Sequence, residues 1–326
     1  MRRFILFLLS LSLLGGIAGG GVLAWGYAQF IKPGPTIAET TAVIPHGSGV
    51  EAIANTLFEA GIIADPLIFR VGVRLSRVDK GLKAGEFAFP HGVSAKGAAE
   101  ILIAGKTVIR RLTIAEGLTS VQVFDQLVAT NGLEETFDVP QEGTILPETY
   151  YFSYGDTRAD IVQRMVRAMD ENLSALWAER ADGLPFAGPG DALILASIVE
   201  KETGQKAERA RVAGVFINRL NIGMRLQSDP TVVYGLNDGE GPLGRALTRT
   251  DLKADNPYNT YTNHGLPPGP ICNPGLAAIK AVLHPLITDE LYFVADGNGG
   301  HVFAKTLKEH NNNAAKWRKI RDGVGS

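Results

Sequence analysis

Ala192-Leu193-Ile194-Leu195-Ala196-Ser197-Ile198-Val199-Glu200-Lys201-Glu202-Thr203 is the stretch that decides how this chain folds. Up to Val199 it is apolar on all sides, and a helix of that kind is buried in a core. Gly188-Pro189-Gly190 interrupts the chain before it, and Asp191 is predicted to cap the helix. The sequence therefore predicts a buried central helix with charged residues at its C-terminal end.

Glu200 is predicted to leave this helix beside apolar neighbours. It follows three small or apolar residues at steps of seven, four and three, namely Leu193, Ala196 and Ser197. A carboxyl group beside apolar surface has a raised pKa, which a general acid at neutral pH requires. Glu200 is therefore the candidate general acid, and an ordinary salt bridge with Arg209 or Arg211 is the alternative.

Two other acidic residues, Glu202 and Asp229, have different predicted roles. Glu202 lies two residues further on, about 200° around the helix, and is predicted to face water or a basic partner. Asp229 is the candidate second carboxylate of a hydrolase with paired acids. The alternative for Asp229 is structural, because Asp229-Pro230 is typical of a turn or helix start.

The N-terminus is predicted to be a transmembrane helix. From Phe4 to Ile31 there is no Asp, Glu, Lys or Arg, and a helix of this length can cross about 30 Å of hydrocarbon. Arg2 and Arg3 precede the run, so the positive-inside rule keeps the N-terminus in the cytoplasm and places the rest outside. A cleaved signal peptide is the alternative, although the run is longer than a signal core and ends in aromatic residues.

The composition excludes several classes of protein. Cys272 is the only cysteine, so an intramolecular disulfide is impossible. The formal net charge of −2 gives no reason to expect a nucleic-acid partner. The six histidines lack the spacing of a zinc site, and neither a metal nor another cofactor is predicted.

Residues 40–106 are predicted to form a small α+β unit. Short extended segments stand near residues 40–45 and 83–89, and Ser48, Asp65 and Ser94 are predicted to cap helices. The order of strand, helix, helix and strand resembles the LysM-like module, which binds N-acetylglucosamine polymers. A spacer unit that binds nothing strongly is the alternative.

The C-terminal two thirds of the chain carry motifs that resemble the YceG-like family, whose members are endolytic murein transglycosylases. The motifs occur in the family's order at residues 197–203, 215–220, 226–235, 258–261, 265–271 and 291–297. The resemblance implies an α+β chain with a membrane anchor at 1–35, the LysM-like unit at 40–106 and a catalytic domain at 107–326. That domain is expected to be a lysozyme-like lytic transglycosylase fold with added strands.

The resemblance also implies an activity and a location. Family members cut nascent peptidoglycan strands internally, between N-acetylmuramic acid and N-acetylglucosamine, without water, and leave 1,6-anhydro ends. Glu200 would be the single acid and then the base. The family further implies links to cell-wall synthases, and a catalytic domain on the periplasmic side of the inner membrane.

Seven residues are candidates for binding the glycan: Gln227, Ser228, Asp229, Thr231, Tyr258, Asn259 and Tyr261. The polar side chains between 227 and 231 would hydrogen-bond acetamido and hydroxyl groups, and the Tyr-Asn pair would lie beside the acid. Packing inside the fold is the alternative for Tyr258, Asn259 and Tyr261. Two other functions stay open, a non-catalytic peptidoglycan-binding scaffold and a hydrolytic muramidase.

Overall fold

The computed structural model describes residues 2–323, and its first element is the long helix α1, Arg2–Ile31. The 28 residues Phe4–Ile31 are long and apolar enough to cross a membrane by length and composition. The predicted apolar helix is therefore confirmed. Met1, at the predicted cytoplasmic tip, and residues 324–326, at the end of the predicted catalytic domain, lie outside the described residues.

The chain divides into two compact units. Unit 1 comprises Met1–Arg110 and Tyr151–Asp156, and unit 2 comprises Arg111–Tyr150 and Thr157–Ser326. Each unit has its own cluster of buried hydrophobic residues. Strands β3, β5 and β6, given below, each contain residues of both units.

Unit 1 contains a strand, two helices, a second strand and a third helix after α1. They are β1 (Thr40–Ile44), α2 (Val50–Glu59), α3 (Pro66–Leu75), β2 (Gly85–Phe89) and α4 (Ala95–Ala104). The two strands pair antiparallel, from Thr40 opposite Phe89 to Ile44 opposite Gly85. The predicted order of elements is confirmed, and the LysM-like identity of the unit stays a prediction.

Two of the three predicted helix caps in unit 1 are confirmed. The Asp65 carboxylate accepts the backbone N–H of Leu67 over 2.7 Å, and the Ser94 hydroxyl accepts that of Gly97 over 3.0 Å. Ser48 was predicted wrongly, because α2 begins one residue later and Gly49 precedes it without a side-chain cap.

Unit 2 consists mainly of helices, with short strands at its margins. Its elements and those at the unit boundaries are β3 (Ile109–Thr113), α5 (Ser120–Ala129), β4 (Leu133–Glu134), β5 (Thr149–Ser153), β6 (Asp156–Thr157), α6 (Arg158–Ala178), α7 (Pro189–Glu202), α8 (Arg209–Asn221), α9 (Asp229–Asn237), α10 (Leu276–Leu283), β7 (Tyr292–Ala295), β8 (His301–Ala304) and α11 (Leu307–Gly323). β7 and β8 form an antiparallel hairpin. The chain is thus mixed α and β, whereas the lysozyme-like likeness stays a prediction.

α7 is the central helix of unit 2, as the sequence predicted. Seven of its residues, Ala192, Leu193, Leu195, Ala196, Ser197, Ile198 and Val199, are buried. They pack mainly against α8 and α10. Asp191 does not cap the helix, because its carboxylate accepts the backbone N–H of Ala187 over 2.8 Å and Gly188 precedes the first turn. The buried body of α7 holds its last turn, with Glu200 and Glu202, at the edge of the core.

Candidate active site

Glu200 and Glu202 lie in two different environments at the end of α7. The Glu200 carboxylate accepts Arg209 Nη2 over 2.8 Å and the backbone N–H of Gly275 over 3.0 Å. Its side chain is 5% exposed and that of Arg209 is 7% exposed. The salt bridge considered from sequence is thus present with Arg209, while Arg211 pairs with Glu290.

The electrostatic balance at Glu200 is mixed. Burial raises its pKa, and the N–H of Gly275 and the charge of Arg209 oppose that rise. Glu200 lines a cavity of about 370 Å³, which we call the Glu200 cavity, together with residues such as Gly117, Lys201 and Tyr234. The carboxyl group is therefore at a cavity wall, but both of its oxygens are already used inside the protein.

Glu202 has a single direct hydrogen-bond partner among the described residues, the neutral hydroxyl of Ser228. Ser228 Oγ donates to Glu202 Oε1 over 2.5 Å. Burial raises the pKa of Glu202 to about 7 and nearby Asp229 raises it too, against the Ser228 bond and the weaker charges of His301 and Arg219. Glu202 was predicted to face water or a basic partner; the residue is half-buried, and the segment after residue 225 places the Ser228 hydroxyl against its carboxylate.

Glu202 lines a cleft of about 470 Å³, which we call the Glu202 cleft. Three predicted binding residues, Gln227, Asp229 and Tyr261, line it as well. The remaining lining residues are Arg219, Tyr292, Phe293, Val294, Leu307, His310 and Asn311. The structure therefore gathers predicted binding residues around Glu202, while Glu200 lines a different cavity.

Gln227, which lines this cleft, has an unusual backbone conformation. Its φ angle is +52°, a left-handed conformation that is uncommon for residues other than glycine. Its backbone N–H donates to the carbonyl of Thr260 over 3.1 Å, which helps to hold it there. Backbone strain of this kind clusters at functional sites, and here it accompanies a side chain that lines the cleft.

Ser228 and Thr231 are fully buried and stabilise the segment that lines the cleft. The Thr231 hydroxyl donates to the Ser228 carbonyl over 2.7 Å and lies 2.8 Å from the hydroxyl of Thr260. The backbone N–H of Ser228 donates to that same Thr260 hydroxyl over 3.0 Å. Because their polar atoms are used internally, Ser228 and Thr231 support Glu202, and neither side chain lines the cleft.

Asp229 and Tyr261 form a pair on the cleft wall. Tyr261 Oη donates to Asp229 Oδ1 over 2.6 Å. Burial raises the pKa of Tyr261, and the bond to Asp229 adds to the rise, so the phenol stays protonated. Asp229 and Pro230 begin α9, as the structural alternative predicted, although the Asp229 side chain does not cap the helix.

Tyr258 and Asn259 contribute to packing, and the structure places neither in the Glu202 cleft. The Tyr258 ring packs on the ring of Tyr234, with centroids 4.8 Å apart. Asn259 is 1% exposed, and its amide donates to the carbonyl of Ala254 over 2.8 Å while its oxygen accepts the N–H of Tyr261 over 3.0 Å. The polar groups of Asn259 thus close a turn, whereas Tyr258 packs on Tyr234, a residue of the Glu200 cavity. The predicted glycan contact of Tyr258 stays a prediction.

The cleft residues that sequence reasoning missed include Arg219, Tyr292 and His310. Arg219 Nε donates to the carbonyl of Leu291 over 2.6 Å, and its guanidinium lies 5.5 Å from the Tyr292 ring centroid. Tyr292 stacks on His310 at 5.2 Å. The one sequence signal for these residues was Arg219, a charged residue on the apolar side of α8. Tyr292 and His310 reach the cleft only through the tertiary fold.

A desolvated carboxyl group in a cleft of polar and aromatic side chains is typical of enzymes that use a general acid. The chain belongs to the YceG-like family, whose sequence model matches residues 42–316. That match includes every residue of the Glu202 cleft.

Curated relatives and a solved structure agree with this membership. The chain is 33% identical to a Bacillus subtilis protein named endolytic murein transglycosylase, over 91% of this chain and 90% of that protein. A Streptococcus pneumoniae protein of the same name is 31% identical over 85% of this chain, and the match covers 58% of that longer protein. The crystal structure of a yceG-like protein from Listeria monocytogenes aligns with a TM-score of 0.55 at 32% identity, over 84% of this chain and 98% of that one.

Proposed function

We propose that this chain is a membrane-anchored lytic transglycosylase that cuts peptidoglycan strands internally. The names of its relatives support a peptidoglycan lyase, and α1 is consistent with a single membrane anchor. The observation that carries the chemistry is the Glu202 carboxyl, whose pKa is raised to about 7 by burial in a cleft. By the positive-inside rule, the residues that follow α1 lie outside the cytoplasm.

We assign the general acid to Glu202 rather than to Glu200. Burial raises the pKa of Glu200 as well, but both of its oxygens are already engaged by Arg209 and the backbone N–H of Gly275, which oppose that rise. Glu202 has a neutral partner and shares its cleft with Gln227, Asp229 and Tyr261. The assignment of Glu200 from family resemblance stays a prediction, and the two carboxyls can be tested side by side.

In the proposed reaction a single residue moves the proton twice. The Glu202 carboxylic acid protonates the glycosidic oxygen, and the bond from that oxygen to C1 of N-acetylmuramic acid breaks. The Glu202 carboxylate then takes the proton of the C6 hydroxyl as O6 bonds to C1. Glu202 ends protonated, no water is consumed, and the product carries a 1,6-anhydro end.

Stabilisation of the cationic C1 can come from two sources. The substrate's own acetamido group is one, as in substrate-assisted glycosidases. Asp229 is the other, because it lines the same cleft and its negative charge favours a developing cation. In this scheme Asp229 contributes charge, while Glu202 carries the proton.

The substitutions Glu202→Gln and Glu200→Gln form a matched pair on one helix. We expect Glu202→Gln to lose about 10²–10⁴-fold in cleavage rate, the usual contribution of a general acid. Glu200→Gln breaks a buried ion pair and should destabilise the fold by about 3–5 kcal/mol, while the cleavage rate per folded molecule stays much closer to wild type than that of Glu202→Gln. The rates are measured by chromatography of fragments released from purified sacculi, with co-sedimentation as the control for strand binding.

The reverse result, with Glu200→Gln inactive and Glu202→Gln active, would return the acid to Glu200. A wild-type chain that binds sacculi and never releases fragments would instead identify a binding scaffold. Either outcome would contradict the assignment of the general acid to Glu202.

A hydrolytic muramidase is the second candidate, because Asp229 and Glu202 line one cleft and could act as paired carboxyls. Mass spectrometry of the released fragments separates the two reactions. A lyase product is lighter by one water at the muramic end, whereas a hydrolase leaves a reducing end. We expect the lighter product in the wild-type digest.

A further inference from the structure

The outward side of α3 in unit 1 is apolar although it faces solvent. Leu67, Val71 and Leu75 are 59%, 44% and 66% exposed, and steps of four residues place them on one side of the helix. Phe69 and Val73 of the same helix are fully buried. α3 therefore has two apolar sides, of which the core of unit 1 covers only one.

The exposed stripe continues directly into the membrane helix. Leu67, Val71 and Leu75 line a cavity of about 240 Å³ together with Val22 and Leu23 of α1. The two helices approach closely at Gly72, where an added Cβ would lie 2.4 Å from the ring of Phe30. Phe30 itself is 4% exposed, so the end of α1 packs firmly against α3 within unit 1.

The depth of this contact can be estimated from α1 itself. Twenty-eight residues at 1.5 Å each give a helix of about 42 Å, which exceeds the hydrocarbon core by about 12 Å. Trp25 and Tyr27 are both 59% exposed near the C-terminal end of α1 and line the same cavity. Aromatic residues of this kind lie at the level of the lipid headgroups, so the α3 stripe lies at that level too.

The charges of α3 suit such a position. Arg74 of α3 and Arg77, two residues after the helix ends, are exposed next to the apolar stripe, and arginines beside an apolar helix side attract anionic headgroups. An interfacial amphipathic helix buries its apolar side about 5–10 Å into the boundary between headgroups and acyl chains. This arrangement matches α3, with its apolar stripe, the adjoining residues of α1 and the two arginines.

We propose that unit 1 lies directly on the outer surface of the bilayer, with Leu67, Val71 and Leu75 of α3 inserted among the lipids. The inference rests on α1 spanning the membrane, as in the proposed function. Lipid contact would make α3 a second attachment beside α1. Unit 1 would then keep one orientation at the membrane instead of moving on a single flexible tether.

The test uses the full chain in lipid nanodiscs that contain anionic lipid, with an environment-sensitive dye at Leu75→Cys. Cys272 is fully buried and burial raises its pKa, so a maleimide dye should react only with the introduced cysteine, and unsubstituted chain is the labelling blank. Ile109→Cys is the matched control, because Ile109 is 69% exposed in the same unit. The readouts are the emission maximum and quenching by lipids that carry a nitroxide at a shallow acyl position.

We expect a blue shift and loss of most fluorescence at position 75, with water-like emission at position 109. A water-like, unquenched dye at position 75 in a chain that remains in the nanodisc would overturn the proposal. A blue shift without lipid quenching that disappears on dilution would indicate a second protein copy on α3, and would overturn it as well. Release of the whole chain from nanodiscs would contradict the membrane anchor instead, so the two failures are distinguishable.

Discussion

Two carboxyl groups separated by one residue have different surroundings in this protein. Glu200 is held by a guanidinium and a backbone N–H, whereas Glu202 is held by one hydroxyl. Burial raises the pKa of both groups, but at Glu200 the guanidinium and the N–H oppose the rise, whereas the pKa of Glu202 is raised to about 7. Proximity in sequence therefore says little about which carboxyl can donate a proton.

The pH dependence of cleavage should report the pKa of Glu202. Because the acid form is required, kcat/KM should fall as the pH rises through about 7. The charge of Asp229 raises this pKa, so Asp229→Asn should move the falling limb to lower pH. Ser228 favours the carboxylate, so Ser228→Ala should move the limb to higher pH.

Each shift should amount to about 0.5–1 pH unit, which corresponds to roughly 1 kcal/mol. The measurement is kcat/KM on soluble glycan strands between pH 5 and 9, with rates normalised for folded protein. Shifts in the same direction for Asp229→Asn and Ser228→Ala would exclude Glu202 as the titrating group.

At the level of elements, the turn before Tyr261 orders one wall of the cleft. Asn259 bridges the carbonyl of Ala254 and the N–H of Tyr261, and Tyr261 in turn donates to Asp229. Part of the motif at 258–261 thus organises the backbone, and Tyr261 supplies the side chain that lines the cleft. The residues of one motif can therefore have different roles.

Asn259→Ala should therefore destabilise unit 2 rather than weaken glycan binding directly. Leaving buried backbone groups unpaired costs about 1–3 kcal/mol. Asp255→Ala is the control, because Asp255 is exposed in the same turn and a surface change of this kind usually stays within about 0.5 kcal/mol. Urea unfolding gives both values, and a stable Asn259→Ala variant with a raised KM would restore the predicted glycan contact.

At the level of the whole molecule, α1 is also part of the fold of unit 1. Phe30 is buried beside Gly72, and the backbone N–H of Gly34 donates to the carbonyl of Val93 over 3.1 Å. The segment that follows α1 is therefore packed against the rest of unit 1 as soon as α1 ends.

Two truncations that both lack the membrane span should consequently differ in stability. A chain beginning at Gln29 keeps Phe30 and Gly34, whereas a chain beginning at Thr36 loses both. Removal of a buried phenylalanine costs about 3 kcal/mol or more, so the shorter chain should unfold at lower denaturant concentration. Circular dichroism during urea titration is the measurement, and equal midpoints for the two chains would contradict this packing.

The sequence predicted most of the architecture because its signals are local. The charge-free run at 4–31, the caps at Asp65 and Ser94, and the order of elements in unit 1 each depend on residues adjacent in the chain. Ser48 and Asp191 were wrong for a related reason. Each lies within a few residues of a helix start, but a glycine, Gly49 or Gly188, precedes the first turn in place of the predicted cap.

The sequence by itself determined that the chain has an apolar N-terminal helix, a buried central helix that ends in two glutamates, and the motifs of its family. Only the tertiary structure decided which glutamate has which partner, and that Gln227, Asp229 and Tyr261 gather around Glu202. The physical reason is that the pKa of a carboxyl group depends on burial and on charges brought close from distant parts of the chain. Helical periodicity locates a side chain on its own helix, but it does not reveal what covers that side.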